Sequence, residues 1–285
     1  MHIPDGFLSV PVWGTMDAVA LPTVAYLARR AQREFDHHRI PLMGVMGAFI
    51  FAAQMINFPV GNGTSGHLVG GALLAFTLGP AAAVIAMTAI LITQALVFQD
   101  GGLLALGANV FNMAIAGVLV GYLPYALLRG RKLGVFLGGM FSLLTSAGLA
   151  LAELIRSGVP MPRAVLGVSI GLFAISAVIE GAITVAVVEA LERIQPGFLR
   201  RPQGLGSRAT WVLATASAAF AGVGVFVASG QPDGIQRLTL SHTITWFSSP
   251  LARWAAGLIV LALVYLVCTR VNRAFGRESM EREGA

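Results

Sequence analysis

Runs of about 20 predominantly apolar residues, set between clusters of Arg, Gly and Pro, recur along most of the chain, and a run of that length crosses a bilayer core as one helix. Nine can be traced: Val12–Ala28, Pro41–Phe58, His67–Leu78, Pro80–Phe98, Leu103–Leu128, Gly134–Ile155, Val165–Leu191, Thr210–Ala228 and Leu251–Thr269. The third ends at Gly79–Pro80 and is short, so it is expected to tilt, break or cover only part of the bilayer. In lipid every backbone polar group needs an internal partner, which makes helices the form such runs take. Composition agrees, with 56% of the 285 residues hydrophobic and only 11% charged, against about a quarter charged in ordinary soluble domains. The expected fold class is therefore an all-α polytopic membrane helical bundle of about nine transmembrane helices, seven plus two. A soluble enzyme is excluded, and the single Cys excludes a disulfide framework or a cysteine-based metal cluster.

The net charge of +6 would point to nucleic acid in a soluble protein. In a membrane protein it reports orientation instead, and no nucleic-acid partner is expected. With the N-terminus outside, 15 of the 19 basic residues fall in inner loops, around Arg29–Arg39, Arg129–Lys132, Arg193–Arg208 and Arg270–Arg282. Only Arg156, Arg163, Arg237 and Arg253 fall outside. The expected topology is N-terminus out and C-terminus cytoplasmic. The Pro-, Gly- and Arg-rich stretch Ile194–Arg208 reads as a linker between a module over residues 1–195 and a two-span hairpin over about 208–285.

The first residues, MHIPDGFLSV, have neither a basic leader nor an apolar run before a cleavage site, so they are expected to remain in place rather than act as a signal peptide. His2 is too large a second residue for ordinary methionine removal, and the mature chain is expected to start at Met1 with a free amine outside. Of the five histidines, His37 and His38 lie in a basic inner loop and His242 in the outer loop of the hairpin. His2 and His67 both fall at the outer face. The amine of Met1, the amide of His2 and the His2 ring form fused five- and six-membered chelate rings around one ion. A second imidazole from His67 would complete four nitrogens in a plane, which suits Ni(II) or Cu(II), whereas zinc prefers a tetrahedron and magnesium or calcium prefer oxygen. Binding of this kind should weaken in acid, because the amide must lose its proton. Spacing alone does not bring His67 to the N-terminus.

Asp17, Glu153, Glu180 and Glu189 lie in or near spans, where a central charge costs about 2.5–3.5 kcal/mol on insertion scales. Glu180 is the most central and reads either as a coupling group or as a packing residue. The pairs Ala48/Ala52 and Gly117/Gly121 permit close helix approach. There is no P-loop, no H-E-x-x-H and no G-x-S-x-G, so ATP binding by this chain and the usual protease or lipase chemistries lack their motifs.

Four ordered segments, MHIPDGFL, GNGTSGHLVGGALLA, QALVFQDGG and LGANVFNMAIAG, resemble the CbiM/NikM family, the membrane substrate-binding components of energy-coupling-factor (ECF) transporters for cobalt and nickel. The resemblance covers residues 1 to about 195. It implies a metal site made of the amine of Met1, the amide and ring of His2 and the ring of His67. Asp5, Thr64, Asn109 and Asn112 stand in the matching segments as candidates for orienting those ligands. It also implies Ni²⁺ or Co²⁺ as cargo, a transmembrane scaffold (the T component) and two ATPase subunits as partners, and a multi-pass place in the cell's inner (plasma) membrane. The pattern GTSGHLVGG, with Pro4–Asp5–Gly6, looks more like the nickel members than the cobalt members, which tend to follow MHI with Met-Glu-Gly. Residues 208–285 resemble the small N component, whose PDGLE motif here reads Pro232–Asp233–Gly234–Ile235–Gln236. A rival reading is a stand-alone carrier exchanging metal for protons through Glu180, although no internal repeat of the kind common in such carriers is evident. A metallohydrolase built on His67 lacks the expected ligand triad.

Overall fold

The computed structural model describes residues 1–34, 40–55, 58–61 and 64–199, with 215 and 219 as single positions. The two C-terminal spans, the hairpin module and His242 lie outside the described residues, as do His37 and His38. Seven helices are described: α1 (Val10–Glu34), α2 (Ile40–Gln54), α3 (Gly71–Leu78), α4 (Pro80–Phe98), α5 (Leu106–Leu127), α6 (Lys132–Arg156) and α7 (Arg163–Ile194). Four of them, α4 to α7, are long and apolar enough to cross a membrane. α1 has 25 residues but carries Thr15, Asp17 and Thr23 among its apolar positions. α2 is apolar but has only 15 residues.

The short third run folds as a helix of eight residues, about 12 Å long at 1.5 Å per residue, against a hydrocarbon core of about 30 Å. Its eight residues are all buried. It packs on α2, α4, α5, α6 and α7 and forms the centre of the bundle. Gly79, with φ +83°, ends it, and Pro80 starts α4 at a first-turn position that needs no N–H. Ahead of it stands an antiparallel pair of short strands, β1 (Phe58–Gly61) and β2 (Thr64–Gly66), an addition to the all-helical expectation.

α5 and α6 approach closely because Gly117 and Gly121 present no side chain. A Cβ at Gly117 would stand 2.6 Å from Ser146 Oγ, and one at Gly121 would stand 2.9 Å from Ser142 Cβ. Two stretches are wound as π-helix, Gln94–Phe98 at the end of α4 and Val110–Gly117 within α5, a winding that is common at functional sites. Lys132 Nζ meets Glu189 Oε1 at 2.6 Å, which puts the start of α6 and the end of α7 at one end of the bundle. The N-terminal segment and the 99–105 connection meet at the other.

Candidate metal site

The first residues are threaded into the protein rather than left in solvent. Met1 is 6%, His2 3% and Ile3 0% exposed. Burying a strand of backbone requires partners for its polar groups, and Asn109 supplies them. Its Oδ1 accepts the Ile3 N–H at 2.8 Å, and its Nδ2 donates to Ile3 O at 3.1 Å. Gly102 N–H donates to the same carbonyl at 2.9 Å. Two carboxylates anchor the chain beyond Ile3. Asp5 accepts the N–H groups of Leu103, Leu104 and Ala105 at 2.9, 2.8 and 3.3 Å, and Asp17 Oδ1 accepts that of Gly107 at 2.8 Å. Leu103, Leu104 and Ala105 form the turn that leads into α5, and Gly107 lies in its first turn, where N–H groups lack intrahelical partners and the helix end is positive. Gly101, with φ +102°, lies against the N-terminal segment, and a Cβ there would stand 3.2 Å from His2 Cβ.

His67 meets the N-terminus here. The Met1 amine lies 2.6 Å from His67 Nε2 in a buried contact. His67 Nδ1 is 3.0 Å from Leu68 O. A carbonyl can only accept, so the proton sits on Nδ1, and the Nε2 lone pair faces the amine. The His2 ring lies nearly parallel to that of His67, at an interplanar angle of 6° and a centroid separation of 5.6 Å. His2 Nε2 is buried without a hydrogen bond, whereas Nδ1 has a carboxylate beside it. Among the described residues no three His, Cys, Asp or Glu side chains converge to hold a metal. Any donor set at this place therefore draws on main-chain nitrogens.

One acidic group reaches the cluster. Asp100 Oδ1 is 3.2 Å from His2 Nδ1. Burial pushes the Asp100 carboxyl up, but His2, the Met1 amine and His67 together outweigh that and hold it below the usual carboxylate range. Sequence reasoning passed over Asp100, whose signal was a lone charge beside Gly101–Gly102 at the end of a span. Of the orienting candidates, Asn109 and Asp5 hold the N-terminal segment. Asn112 turns to α6, where its Nδ2 donates to Glu153 Oε2 at 2.8 Å. Thr64 stands in β2 opposite Gly61.

Residues 2–198 match the family model for CbiM, the cobalt uptake substrate-specific transmembrane region. The chain belongs to the CbiM family. A protein of Haloquadratum walsbyi whose name assigns it to metal transport is 40% identical over 205 residues, covering 69% of this chain and 92% of the relative. The fused nickel transport protein NikMN of Rhodobacter capsulatus is 33% identical over 221 residues, covering 70% of this chain and 64% of that one. The crystal structure of a truncated transition metal transporter has a TM-score of 0.55 at 32% identity, covering 68% of this chain and 99% of that one. CbiM proteins are multi-pass membrane proteins of transport, not enzymes.

Proposed function

We propose that this chain is the metal-capturing subunit of an ECF-type importer, taking Ni²⁺, with Co²⁺ as the other candidate cargo, from outside the cell. The ligands are the Met1 amine, the His2 amide and Nδ1, and His67 Nε2. The observation that carries this reading is the 2.6 Å separation between the Met1 amine and His67 Nε2. Metal–nitrogen bonds run at about 2.0–2.1 Å, so neighbouring nitrogens in a square plane stand about 2.8 Å apart. The separation of these two nitrogens is thus close to the spacing a bound ion needs. His2 Nδ1, now 3.2 Å from Asp100 Oδ1, is the nitrogen that closes the six-membered chelate ring, and the ion would take the place of that contact. Four nitrogens in a plane suit Ni(II). The dication brings two positive charges, the amidate removes one, and Asp100 offsets the other.

Basic residues gather at the bundle end marked by the Lys132–Glu189 contact, and the positive-inside rule makes that end cytoplasmic. The metal site then opens outward. Energy comes from a separate scaffold and two ATPases, in keeping with the lack of a P-loop in this sequence, and residues 208–285 form the fused N-like module. Both Glu180 oxygens accept backbone N–H groups, which gives this residue a structural task and weighs against its serving as the coupling group of a proton-driven carrier.

The test is calorimetric titration of the purified chain with Ni²⁺ and Co²⁺, alongside His2→Ala and His67→Ala. One ion per chain is expected. Each variant should lose more than the about 10–100-fold that removal of a mere orienting partner costs. Parent-like binding by both variants would refute the reading.

A further inference from the structure

The segment carrying His67 has no regular structure of its own. Residues 67–70 lie between β2 and α3, outside any helix or strand, yet they set where Nε2 points. Side chains hold them instead. Glu180, on α7, accepts the Val69 N–H at Oε2 and the Gly70 N–H at Oε1, each at 2.8 Å. Gln54, on α2, donates to Val69 O at 2.7 Å. Gln94, where α4 becomes π-wound, donates to Gln54 Oε1 at 2.8 Å. Val69 is therefore held on both sides of its backbone, by an acceptor from α7 and a donor from α2.

The Glu180 contact is the expensive one. Glu180 is 2% exposed, and a carboxyl in apolar surroundings is tolerated only when its oxygens are engaged. Both are, by consecutive amides immediately before α3, where the helix end favours a negative group. A packing role alone would not require two main-chain bonds to a strap 110 residues away. Gln54 and Gln94 are polar groups that the apolar runs gave no reason to retain; Gln54 reaches the strap directly and Gln94 braces Gln54.

We infer that Glu180 is the positioning residue that fixes His67 for metal capture, and that through it the placement of His67 is tied to α7. The inference rests on His67 being a ligand. Release of the strap at Val69 and Gly70 removes the two bonds from Glu180 that tie it to α7, so the fourth nitrogen is held less firmly while the Met1–His2 chelate remains. Coupling of this kind is reciprocal: metal binding draws the strap onto α7, and displacement of α7 loosens the metal.

The experiment combines Glu180→Gln, which is isosteric and keeps one acceptor oxygen, with Glu180→Ala, His67→Ala and the double variant Glu180→Gln/His67→Ala in the full chain. Elution volume and thermal melting of the metal-free proteins report folding. Ni²⁺ affinity, the rate of loss to a chelator and the visible absorption band of the bound ion report the site. Glu180→Gln is expected to weaken binding about 10–100-fold, to speed release and to move the band in the same direction as His67→Ala. In the double variant the Gln change should add nothing, because residues acting through one contact are non-additive. If His67→Ala weakens binding while Glu180→Gln keeps the parent's affinity, release rate and band, this inference alone is overturned. A Gln penalty of equal size with and without His67 also overturns it, since the effect would then run through the fold at large. Parent-like binding by His67→Ala would remove the site reading together with the inference.

Discussion

Asn109 holds Ile3 from both sides of its backbone, accepting its N–H at 2.8 Å and donating to its carbonyl at 3.1 Å. The next residue toward the N-terminus is His2, so this pair fixes the depth to which the terminus enters the bundle. Asn109→Leu, close in volume, removes both bonds and leaves the buried Ile3 N–H without its partner, while the Ile3 carbonyl keeps the Gly102 N–H. Metal affinity should fall about 10–100-fold, while elution and helical circular dichroism stay those of the parent. An unchanged dissociation constant would show that the terminus is held by other contacts.

Asp5 ties down the turn that leads into α5 rather than touching the cluster. A hydrogen bond of this kind contributes about 0.5–1.5 kcal/mol net. Asp5→Ala should therefore lower the melting temperature of the metal-free protein. Asp5→Asn, which keeps an acceptor oxygen, should recover part of the loss. Melting in detergent of the two variants checks this, and equal melting of parent and Asp5→Ala would contradict it.

Asp100 gives a pH-dependent signature. Its carboxyl is held below the ordinary carboxylate range. The stabilisation it provides is thus present above that range and is lost only as pH falls through the lowered value. Across about pH 5–8 it remains ionised. The carboxylate favours any positive charge beside it, whether metal or a proton on the same nitrogens. Asp100→Asn should therefore weaken Ni²⁺ binding most at the alkaline end, and the gap from the parent should narrow with acid as protons compete for the ligands. Titrations at several pH values test this. A gap that widens with acid would mean that Asp100 acts by some route other than its charge.

The spans were legible because lipid imposes one simple rule on sequence. Pro80–Phe98 matches α4 end for end, and Gly134–Ile155 lies within α6. α3 was harder. His67–Leu78 reads as one run, yet its first residues are held out of the helix by Glu180 and Gln54, which bond Val69 and Gly70. The β1–β2 pair did leave a signal, since Asn62–Gly63 between two short segments is a hairpin dipeptide, but the apolar run Pro41–Phe58 masked where the first strand begins. No sequence cue marks the π-wound turns. At the site, the chelating order of Met1 and His2 followed from covalent chemistry alone. The approach of His67 did not, because two segments 66 residues apart meet only through the packing of α3. Asp100 was missed for the same reason.

The central claim is that the free amine of Met1 is a metal ligand. The most direct measurement is Ni²⁺ titration of a chain carrying a histidine-free leader ahead of Met1, before and after removal by a protease that leaves Met1 as the first residue. The account predicts little binding before cleavage and one tightly held ion per chain after it. Equal binding before and after would contradict it, because a peptide nitrogen in place of the amine cannot both close the chelate and reach His67 Nε2.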